Sequence, residues 1–566
     1  MKYIIIGGVA GGASTAARLR RMDEQAEIIL FEKGSYISYA NCGLPYYIGE
    51  VITERNKLFV QTATSFKQRF NIDARVQAEV LKIDTATKNV QVKNLQTGET
   101  YTESYDKLVL SPGAEPVRPP LDGINSEGIF TLRNVMDTDK IKEYVSRFPK
   151  GKAVVIGAGF IGLEMAENLH HLGMSVTIIE MGNQVLAPVD FPIAALAQQH
   201  IRSKGVDLKL NTAVTGFTRA GDGLQVQIKE KEPIEADVVI LSIGVKPDTR
   251  LAVEAGIDIG KGRGILVNEY LQTSNPDIYA VGDAIEFINP ITGNSMPTYL
   301  AGPANKQGRI CANNIVFGNH QQYHGSINTA IVKIFDLTVA VAGVASKHLK
   351  AADIEHHVST THSGSHAGYY PGSEQMTMQI NFSPKDGKLL GAQIIGVDGV
   401  DKRIDTLSSV IQRGSTINEL TEFEHAYAPP YSSAKDPVNM AGFVAENIIQ
   451  KRIQVVPWTV VEQIEANDLL VDVRMPDEFA AGSIPGAVNI PVDDLRGRLN
   501  ELPKDRGIYI YCQIGLRGYL AQRILLQNGF TRVYNISGGY KLWEPCNKEA
   551  ALLKEAALLK QEVYAY

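Results

Sequence analysis

Two stretches of the chain repeat one pattern: an apolar run, a glycine-rich turn and then a helical stretch. The apolar positions predict strands at residues 2–6 and 153–156, each followed by closely spaced glycines. In the first copy, the spacing predicts a helix over 13–22. A further apolar run closes each copy, at 28–31 and 175–180. The repeat therefore predicts two βαβ units of the kind that bind nucleotides.

Other apolar runs end in turn residues and predict further strands, at Leu108–Ala114, Val238–Gly244 and Ile278–Ala284. From about 325 to 450 the pattern becomes rich in strands and then in helices. Pro457 predicts a linker, and a small α/β pattern follows it.

Composition narrows the possible functions. The chain has 566 residues, enough for roughly four domains, and 44% hydrophobic and 21% charged residues, as in soluble globular proteins. A net charge of −6 argues against nucleic acid as a partner. No apolar run is long enough to span a membrane. Four cysteines without metal spacing, and no signal peptide, favour a reducing cytoplasm and no metal site.

The second unit carries the fingerprint Gly157-x-Gly159-x-x-Gly162, followed 18 residues later by Glu180. Such glycines allow a tight turn and a close approach of the backbone to pyrophosphate, which the helix N-terminus then binds. A carboxylate at the end of the second strand accepts hydrogen bonds from a ribose and repels a 2′-phosphate. The second unit is thus predicted to bind NADH rather than NADPH.

The first unit departs from this pattern, because Val9 takes the place of the middle glycine between Gly7 and Gly12. Glu32 follows Gly12 by 20 residues and preserves the ribose contact. Asp283, in a Val-Gly-Asp turn, suits a hydroxyl of a flavin's ribityl chain. These residues predict FAD at the first unit, since two such units in one chain indicate two nucleotides.

The order of these motifs resembles the flavoprotein disulfide reductases with two dinucleotide-binding domains. The likeness covers residues 1–450 and includes Ser111–Ala114, Ser242–Gly244 and Tyr279–Asp283. It implies further cofactor contacts at Val80, Ser111, Gly113, Arg133, Gly244 and Ala301.

Cys42 lies in the stretch Ser38–Tyr47, and Tyr47 stands where glutathione-reductase-like members have a second cysteine. No disulfide can form there, so a lone cysteine must work through a mixed disulfide, a sulfenic acid or a persulfide. Attack on sulfur needs a thiolate, and we expect the site to lower the cysteine pKa. The stretch resembles the single-cysteine branch: coenzyme A disulfide reductases, NADH oxidases and persulfide reductases.

Within that branch, the resemblance to coenzyme A disulfide reductases implies contacts with coenzyme A, as substrate or bound ligand. Arg18 and Arg21 are three residues apart, near one face of the first helix, where they could pair with phosphates. The resemblance also implies that Tyr369 and Tyr427 reach the active site from a partner subunit, as in an obligate homodimer. The positions that match coenzyme A contacts are Ser14, Arg18, Arg21, Ser38, Asn41, Asn305 and Lys435.

The C-terminal region resembles a rhodanese domain, from Leu470–Pro491 through the loop Cys512–Arg517. In that family, successive backbone N–H groups surround the cysteine sulfur and stabilise a thiolate or a persulfide. The loop residues after the cysteine are Gln513, Ile514, Gly515, Leu516 and Arg517. Cys311 and Cys546 belong to no motif, and we assign them no role.

Together these patterns predict an α/β protein with two Rossmann-like dinucleotide-binding domains, an α+β dimerisation domain and a C-terminal α/β rhodanese domain. We expect residues 1–110 with 250–324 to bind FAD and 111–249 to bind NADH. Residues 325–450 are expected to dimerise and 451–566 to form the rhodanese domain.

The leading hypothesis is an NADH- and FAD-dependent reductase of coenzyme A persulfide, polysulfide or coenzyme A disulfide. Cys42 would be its redox nucleophile and Cys512 its carrier of sulfane sulfur. One alternative is an NADH oxidase or peroxidase with an accessory rhodanese, and another is a sulfurtransferase with a coenzyme A-binding flavin module. The sequence leaves open which sulfur compound is the substrate and whether sulfur passes directly between the two cysteines.

Overall fold

The structure is a computed structural model that describes residues 1–221 and 223–563. Its backbone divides into two compact units. Unit 1 comprises residues 1–181 and 212–328, and unit 2 comprises residues 182–211 and the chain from 329 onward.

The helices and strands of unit 1 follow the predicted repeat. Up to residue 181 they are β1 (Lys2–Ile6), α1 (Ala10–Met22), β2 (Glu27–Glu32), α2 (Leu44–Ile48), α3 (Ala63–Phe70), β3 (Asp73–Val76), β4 (Ala78–Asp84), β5 (Asn89–Asn94), β6 (Thr100–Ser104), β7 (Lys107–Leu110), β8 (Ala114–Pro116), β9 (Ile129–Phe130), α4 (Val135–Val145), β10 (Lys152–Ile156), α5 (Phe160–His171) and β11 (Ser175–Ile179). From residue 212, the chain adds β13 (Val214–Ala220), β14 (Gly223–Ile228), β15 (Lys231–Ala236), β16 (Val238–Leu241), β17 (Val245–Pro247), α7 (Arg250–Glu254), β18 (Ile265–Leu266), β19 (Ile278–Ala280), β20 (Ile285–Ile288), β21 (Ser295–Pro297) and α8 (Ala301–Phe317).

Unit 2 includes one segment, residues 182–211, that lies between the two parts of unit 1 in the sequence. Its elements are α6 (Phe191–Ser203), β12 (Asp207–Lys209), β22 (Ala330–Ile334), β23 (Leu337–Gly343), α9 (Ser346–Ala351), β24 (His357–Gly364), β25 (Gln375–Phe382), β26 (Leu389–Gly396), α10 (Val400–Gln412), α11 (Ile417–Glu422), α12 (Pro437–Ile449), β27 (Val455–Val456), β28 (Leu469–Asp472), α13 (Pro476–Ala481), β29 (Val488–Asn489), β30 (Ile508–Tyr511), α14 (Leu516–Gln527), β31 (Val533–Ile536) and α15 (Gly539–Val563).

The first repeat forms a parallel sheet with strand order β19-β7-β1-β2-β3. β1 lies in its middle, hydrogen-bonded to β2 on one edge and to β7 on the other, and its residues from Tyr3 onward are buried, as in a sheet that is covered on both faces. α1 begins at Ala10, earlier than the predicted residue 13, because the glycines of the turn themselves enter the helix. Gly12 makes this packing possible, since a Cβ atom there would lie 1.9 Å from the Gly7 carbonyl oxygen.

The second repeat forms a parallel sheet in which β11, β10, β16 and β9 are consecutive strands. In register, β10 pairs with β11 from Lys152 to Ile156 and with β16 from Ala153. α5 follows β10 after the three glycines of the fingerprint. The same topology therefore carries both nucleotide turns at the carboxyl ends of central strands, where open α/β sheets bind ligands.

Residues 182–211 pack within unit 2, although they lie inside the segment predicted to bind NADH. Asp190, just before α6, accepts hydrogen bonds from the backbone N–H groups of Ser346 (2.9 Å) and Lys347 (3.0 Å) at the start of α9. The side-chain amides of Gln379 and Gln393 also donate to it. Buried carboxylates need such donors, so this contact fixes α6 against the antiparallel sheet.

Unit 2 contains an antiparallel sheet with strand order β22-β23-β26-β25-β24 and a smaller parallel sheet with order β27-β31-β30-β28-β29. The proposed linker at Pro457 is wrong, because β27 precedes it and Val455 already pairs with Asn535 of β31. The connection is instead the short segment between Ile449 and Val455. A strand of two residues has no detectable periodicity, which is why the sequence pattern missed it.

In the part of the chain that the structure describes, no helix is both long enough and apolar enough to cross a bilayer.

Two glycines of the fingerprint allow a matched test of this packing. A Cβ atom on Gly162 would lie 2.0 Å from the Gly157 carbonyl oxygen, whereas one on Gly159 would meet no atom within 4 Å. We expect Gly162→Ala to destabilise the protein by about 2–4 kcal/mol and Gly159→Ala by less than about 0.5 kcal/mol. Thermal unfolding followed by circular dichroism measures both. Equal losses would contradict the packing role of Gly162.

Candidate active sites

A cavity of about 590 Å³ lies at the carboxyl ends of the strands of the first nucleotide unit. Cys42 lines it together with residues from the turn after β1, the end of β2 and the loops after β7 and β19. The cavity brings together these residues that were predicted from the sequence: Gly7, Glu32, Asn41, Cys42, Ser111, Gly113, Arg133, Asp283 and Ala301. Gly12 and Val80 are buried and do not line it.

In each nucleotide unit, the glutamate at the end of the second strand accepts hydrogen bonds from the backbone of the glycine-rich turn. Glu32 accepts hydrogen bonds from the N–H groups of Gly8 (2.8 Å) and Gly34 (2.7 Å). In the second unit, Glu180 accepts one from Ala158, also at 2.8 Å. Each carboxylate oxygen has two lone pairs, so a ribose hydroxyl can still donate to it. Both turns therefore suit a nucleotide.

The other glycines predicted to contact the second nucleotide lie in the turn between β10 and α5 or after the neighbouring strand β16. Gly157 directly follows β10 and Gly244 lies after β16, and both have backbone conformations that favour glycine, with φ of 101° and 115°. Gly159 precedes α5 and faces open space, which leaves room for phosphate at the helix N-terminus.

Cys42 lies in a short 3₁₀ turn, Asn41–Gly43, between the first strand pair and α2, and its side chain is exposed. It forms no disulfide, and neither does any of the three other cysteines. A lone exposed thiol at the edge of a nucleotide cavity can exchange with a substrate's sulfur.

The side chains around Cys42 raise its pKa, so the expectation that they would lower it was wrong. Although the side chain is accessible at the edge of the cavity, neighbouring protein atoms displace part of the water around its sulfur, and this partial burial is the largest cause. The negative charges of Glu164 and Asp283 add to it. The sequence pattern could not reveal this, because Glu164 lies on α5 of the second nucleotide unit and approaches Cys42 only in the folded chain.

Glu164 and Tyr46 were not predicted as site residues. The hydroxyl of Tyr46 donates to Glu164 at 3.2 Å. Burial raises the pKa of Glu164 to about 7, opposed by the Tyr46 hydrogen bond and supported by repulsion from Glu167. Glu164 can therefore hold or release a proton beside Cys42 near neutral pH.

A second cavity of about 300 Å³ lies on the outer side of α1, between α1, α3 and α8. Three arginines line it: Arg18, Arg21 and Arg309. The pKa of Arg18 is lowered by burial and by the positive charges of Arg309 and Arg21, which lie close enough to repel it. Such a cluster is suited to phosphate.

The predicted coenzyme A contacts divide between sites. Ser14, Arg18, Arg21, Ser38 and Asn305 line the arginine cavity, Asn41 lines the nucleotide cavity, and Lys435 lies exposed in unit 2. The Ser14 hydroxyl donates to the side-chain oxygen of Asn305. Arg309 was missed, although it follows Asn305 by four residues on α8 and thus shares its helix face.

Tyr369 and Tyr427 meet on the surface of unit 2, with their hydroxyl oxygens 2.9 Å apart. They are 76% and 48% exposed, so the pair is not part of the core. The hydrogen bond between the two hydroxyl groups raises the pKa of Tyr369. Exposed rings held in this way are typical of residues that meet a partner surface.

Buried Arg403 fixes both loops that carry these tyrosines. Its Nη2 donates to the Ser365 carbonyl oxygen and to Asp436 Oδ2, both at 2.8 Å. Ser365 is four residues before Tyr369, and Asp436 is nine residues after Tyr427. A fully buried charge pair of this kind has a defined geometry, because either partner alone would be costly.

The loop predicted to carry sulfur, Cys512–Arg517, directly follows β30 and is called the sulfur loop below. Cys512 is fully buried, and its Sγ atom accepts a hydrogen bond from the N–H group of Gly515 at 3.1 Å. Arg517 lies beside the sulfur and forms a bidentate ion pair with Glu478 (2.5 and 2.7 Å), which lowers the pKa of Glu478 to about 2.

The other loop residues shape this turn. Gly515 has φ of 105°, a conformation that favours glycine, and Leu516 is already the first residue of α14. The side-chain oxygen of Gln513 accepts from Arg474 at 3.0 Å, and Ile514 is half-buried. The loop thus directs at least one backbone N–H group at the sulfur, as an anion-binding turn requires.

Cys311 and Cys546 are fully buried, and burial raises the pKa of each thiol strongly. Among the residues that the structure describes, no three histidine, cysteine or acidic side chains come together as metal ligands.

Comparison with protein families matches nearly the whole chain. Residues 1–307 match the pyridine nucleotide-disulphide oxidoreductases, residues 329–437 match the dimerisation domain of that family, and residues 458–546 match rhodanese-like domains. These matches confirm the predicted fold class and the resemblance on which it was based.

Three known proteins are similar over most of the chain. Coenzyme A disulfide reductase of Staphylococcus haemolyticus is 37% identical over 79% of this chain and 100% of its own length. The crystal structure of reduced Bacillus anthracis CoADR-RHD has a TM-score of 0.95 and 47% identity, covering 97% of this chain and 98% of that one. An NAD-dependent persulfide reductase from A. fulgidus has a TM-score of 0.90 and 38% identity, covering 96% and 100%.

The charge of Glu164 can be tested through the reactivity of Cys42. Because ionised Glu164 raises the Cys42 pKa, Glu164→Gln should lower it by roughly half a pH unit. The pH dependence of iodoacetamide alkylation measures this shift in a Cys512→Ser background. Glu167→Gln removes a charge from the same helix and should shift the Cys42 midpoint less. An unchanged or higher midpoint in Glu164→Gln would contradict the electrostatic role.

Proposed function

The chain belongs to the pyridine nucleotide-disulphide oxidoreductase family, and on that premise we propose that it is an NADH- and FAD-dependent reductase of coenzyme A persulfide, polysulfide or coenzyme A disulfide. One observation carries the proposal: Cys42 stands exposed, without a disulfide partner, at the edge of the nucleotide cavity. The neighbouring arginine cavity supports a phosphate-bearing substrate.

The cavity beside Cys42 fits FAD in size and in the chemistry of its lining. Its volume of about 590 Å³ is within the range of cofactor sites. Glu32 would hold a ribose, and Arg133 and Asp283 line the same cavity. When bound, FAD supplies the transfer of two electrons from NADH to sulfur. The turn at Gly157–Gly162, with Glu180, would hold NADH.

Cys42 acts on the outer sulfur of a coenzyme A persulfide. Its thiolate attacks that sulfur, the S–S bond breaks, and coenzyme A leaves with the electron pair. The full turnover consumes NADH, a proton and the persulfide, and yields NAD⁺, coenzyme A and hydrogen sulfide. With coenzyme A disulfide, the same attack gives a mixed disulfide, and the turnover yields two molecules of coenzyme A.

Local side chains favour the protonated form of Cys42, so ionisation needs a proton acceptor. Glu164, with a pKa of about 7 and a hydrogen bond from Tyr46, is placed to take part in that proton transfer. We assign it this role in addition to the predicted residues.

The arginine cavity would bind the phosphates of coenzyme A through Arg18, Arg21 and Arg309. Guanidinium groups pair with phosphate through two parallel hydrogen bonds, which gives both affinity and orientation. Because residues of α1 line both this cavity and the nucleotide cavity, the two lie close together, and a ligand held here by its phosphates would extend its thiol end toward Cys42.

The working form is a homodimer, a state that the dimerisation domain supports. Tyr369 and Tyr427 would complete the partner's active site and stabilise a sulfur anion through their hydroxyl groups. The proposed domain limits stay as predicted, with residues 1–110 and 250–324 for FAD, 111–249 for NADH, 325–450 for dimerisation and 451–566 for rhodanese. Four cysteines without a disulfide agree with a cytoplasmic location.

The rhodanese domain would carry sulfane sulfur on Cys512. With thiosulfate as donor, the Cys512 thiolate takes the outer sulfur, and sulfite leaves with the electron pair of the broken bond. The Gly515 N–H group and Arg517 would stabilise the persulfide anion. A sulfur-carrying domain in the same chain favours a persulfide substrate, since an ordinary disulfide offers it no sulfur to carry.

Substitution of each cysteine separates the proposal from its alternatives. Cys42→Ser should reduce NADH oxidation driven by coenzyme A persulfide at least about 1000-fold, because it removes the nucleophile. Cys512→Ser should abolish transfer of sulfur from thiosulfate to cyanide and leave reduction of coenzyme A disulfide intact. Stopped-flow absorbance at 340 nm and thiocyanate release measure these rates.

Persulfide-dependent NADH oxidation that survives in Cys42→Ser would refute the mechanism. NADH consumption that follows oxygen and ignores persulfide would favour an NADH oxidase. Sulfur transfer without any NADH-dependent reduction would favour a sulfurtransferase.

Arg309 allows a test of substrate class. Arg309→Gln should raise the KM for coenzyme A disulfide about ten-fold and leave the KM for inorganic polysulfide unchanged, because only the first substrate carries phosphates. Lys306→Gln is the matched control, since Lys306 is exposed on the same helix but does not line the cavity. Equal effects on both substrates would contradict a phosphate site.

A further inference from the structure

His362 connects two parts of unit 2 that the sequence treats as separate domains. It lies on β24 of the antiparallel sheet, directly opposite Thr377 on β25. Its Nδ1 atom is 2.9 Å from the Thr377 hydroxyl, and its Nε2 atom is 2.9 Å from the carbonyl oxygen of Gly538, just after β31 of the small parallel sheet. Both ring nitrogens of this buried side chain therefore have partners.

These contacts define the tautomer of His362. A carbonyl oxygen can only accept, so Nε2 carries the proton, and in the neutral ring Nδ1 accepts from Thr377. Burial lowers the pKa of His362 to about 4, and the positive charge of Lys541 acts in the same direction. At neutral pH the ring is uncharged, and its only N–H group donates to Gly538.

Gly538 begins the turn that leads into α15. Gly538 and Gly539 both have positive φ, 76° and 60°. The next two backbone N–H groups donate to carbonyl groups of the sulfur loop. Tyr540 donates to the Cys512 carbonyl oxygen at 2.8 Å, and Lys541 donates to the Gln513 carbonyl oxygen at 3.0 Å.

These bonds hold two loop carbonyl groups on the side of the loop that faces α15. On the sulfur side, the Gly515 N–H group donates to Cys512 Sγ at 3.1 Å. A loop whose carbonyl groups are turned away presents its N–H groups to an anion, which is the property that stabilises a persulfide. The turn at Gly538 therefore supports the geometry around the sulfur.

Two further contacts fasten the same turn to the antiparallel sheet. The N–H group of Thr360 donates to the Ser537 hydroxyl at 3.2 Å, and Lys541 Nζ donates to the side-chain oxygen of Gln375. Ser537–Lys541 thus contacts the sheet on one side and the sulfur loop on the other.

From this chain of hydrogen bonds we infer that His362 is a positioning residue for Cys512: a side chain of the dimerisation domain holds the Gly538–Gly539 turn, and through it the sulfur loop, in the shape that carries sulfane sulfur. The inference rests on the proposed sulfurtransfer by Cys512. It implies that the rhodanese domain depends for its activity on the sheet to which it is fused.

Two substitutions at one position separate hydrogen bonding from packing. In His362→Gln, the amide nitrogen is as many bonds from Cα as Nε2 is, so it can still donate to Gly538. In His362→Asn, the shorter amide can reach Thr377 but not Gly538. The full-length chain is assayed for sulfur transfer from thiosulfate to cyanide, and for NADH-dependent reduction of coenzyme A disulfide.

We expect His362→Asn to lower kcat for sulfur transfer about ten-fold, with KM for thiosulfate changed less than about two-fold. His362→Gln should retain most of the wild-type kcat. Disulfide reduction should stay within about two-fold in both, because His362 contacts neither nucleotide turn nor Cys42. Equal kcat in both variants, whether normal or reduced, or an effect confined to KM, would overturn the inference.

Hydrogen exchange gives a readout that does not depend on activity. In His362→Asn, the amides of Tyr540, Lys541 and Gly515 should exchange faster than in His362→Gln, and Thr377→Val should have an intermediate effect. Unchanged protection of these amides in His362→Asn would refute the positioning role. If the wild-type protein transferred no sulfur, the proposed rhodanese activity would fail, while the exchange data would still decide whether His362 positions the loop. Should His362→Asn not fold, Thr377→Val and Ser537→Ala apply the same test, and normal protection in both would overturn it.

Discussion

The close contact of α1 with β1 on one side and α8 on the other underlies both cavities of unit 1. Gly12 lets α1 approach the turn after β1, and Gly308 of α8 lies so near α1 that a Cβ atom there would be 2.7 Å from the Gly11 carbonyl oxygen. The N-terminal end of α1 then faces the nucleotide cavity, while its outer face contributes Arg18 to the arginine cavity. One helix thus connects the nucleotide site with the site suited to a phosphate-bearing substrate.

The electrostatic surroundings of Cys42 and Cys512, the two cysteines with proposed chemical roles, are different. Cys42 is exposed, but its surroundings include Glu164 and Asp283, whose negative charges oppose ionisation of the thiol. Cys512 is buried, yet a backbone N–H group and Arg517 face its sulfur. The first setting suits a cysteine whose protonation changes during turnover, and the second suits one that holds sulfur as an anion.

Sequence reasoning worked best where chemistry depends on neighbours along the chain. The glycine turns, the acids 18 and 20 residues beyond them, and the Cys512 loop are local motifs, and their backbone conformations follow from a few residues. It failed where a side chain comes from a distant element. Arg309 and Glu164 reach their sites from α8 and α5. The pKa of Cys42 is raised rather than lowered, first by partial burial of the sulfur and then by the negative charges of Glu164 and Asp283. The linker was misplaced at Pro457 because the preceding strand spans two residues.

Hydrophobic period and glycine spacing encode local backbone geometry, so the order and type of the domains, the lone Cys42, the two nucleotide turns and the sulfur loop can all be read from the amino-acid sequence. Three features emerge only in the folded chain: the charges around Cys42, the cavity that three arginines share, and the hydrogen bond from His362 of one predicted domain to Gly538 of another. Those features depend on side chains from separate elements meeting in a buried or partly buried space. Their energies are set by burial and by the distance between charges, and neither quantity is written in the spacing of residues along the chain.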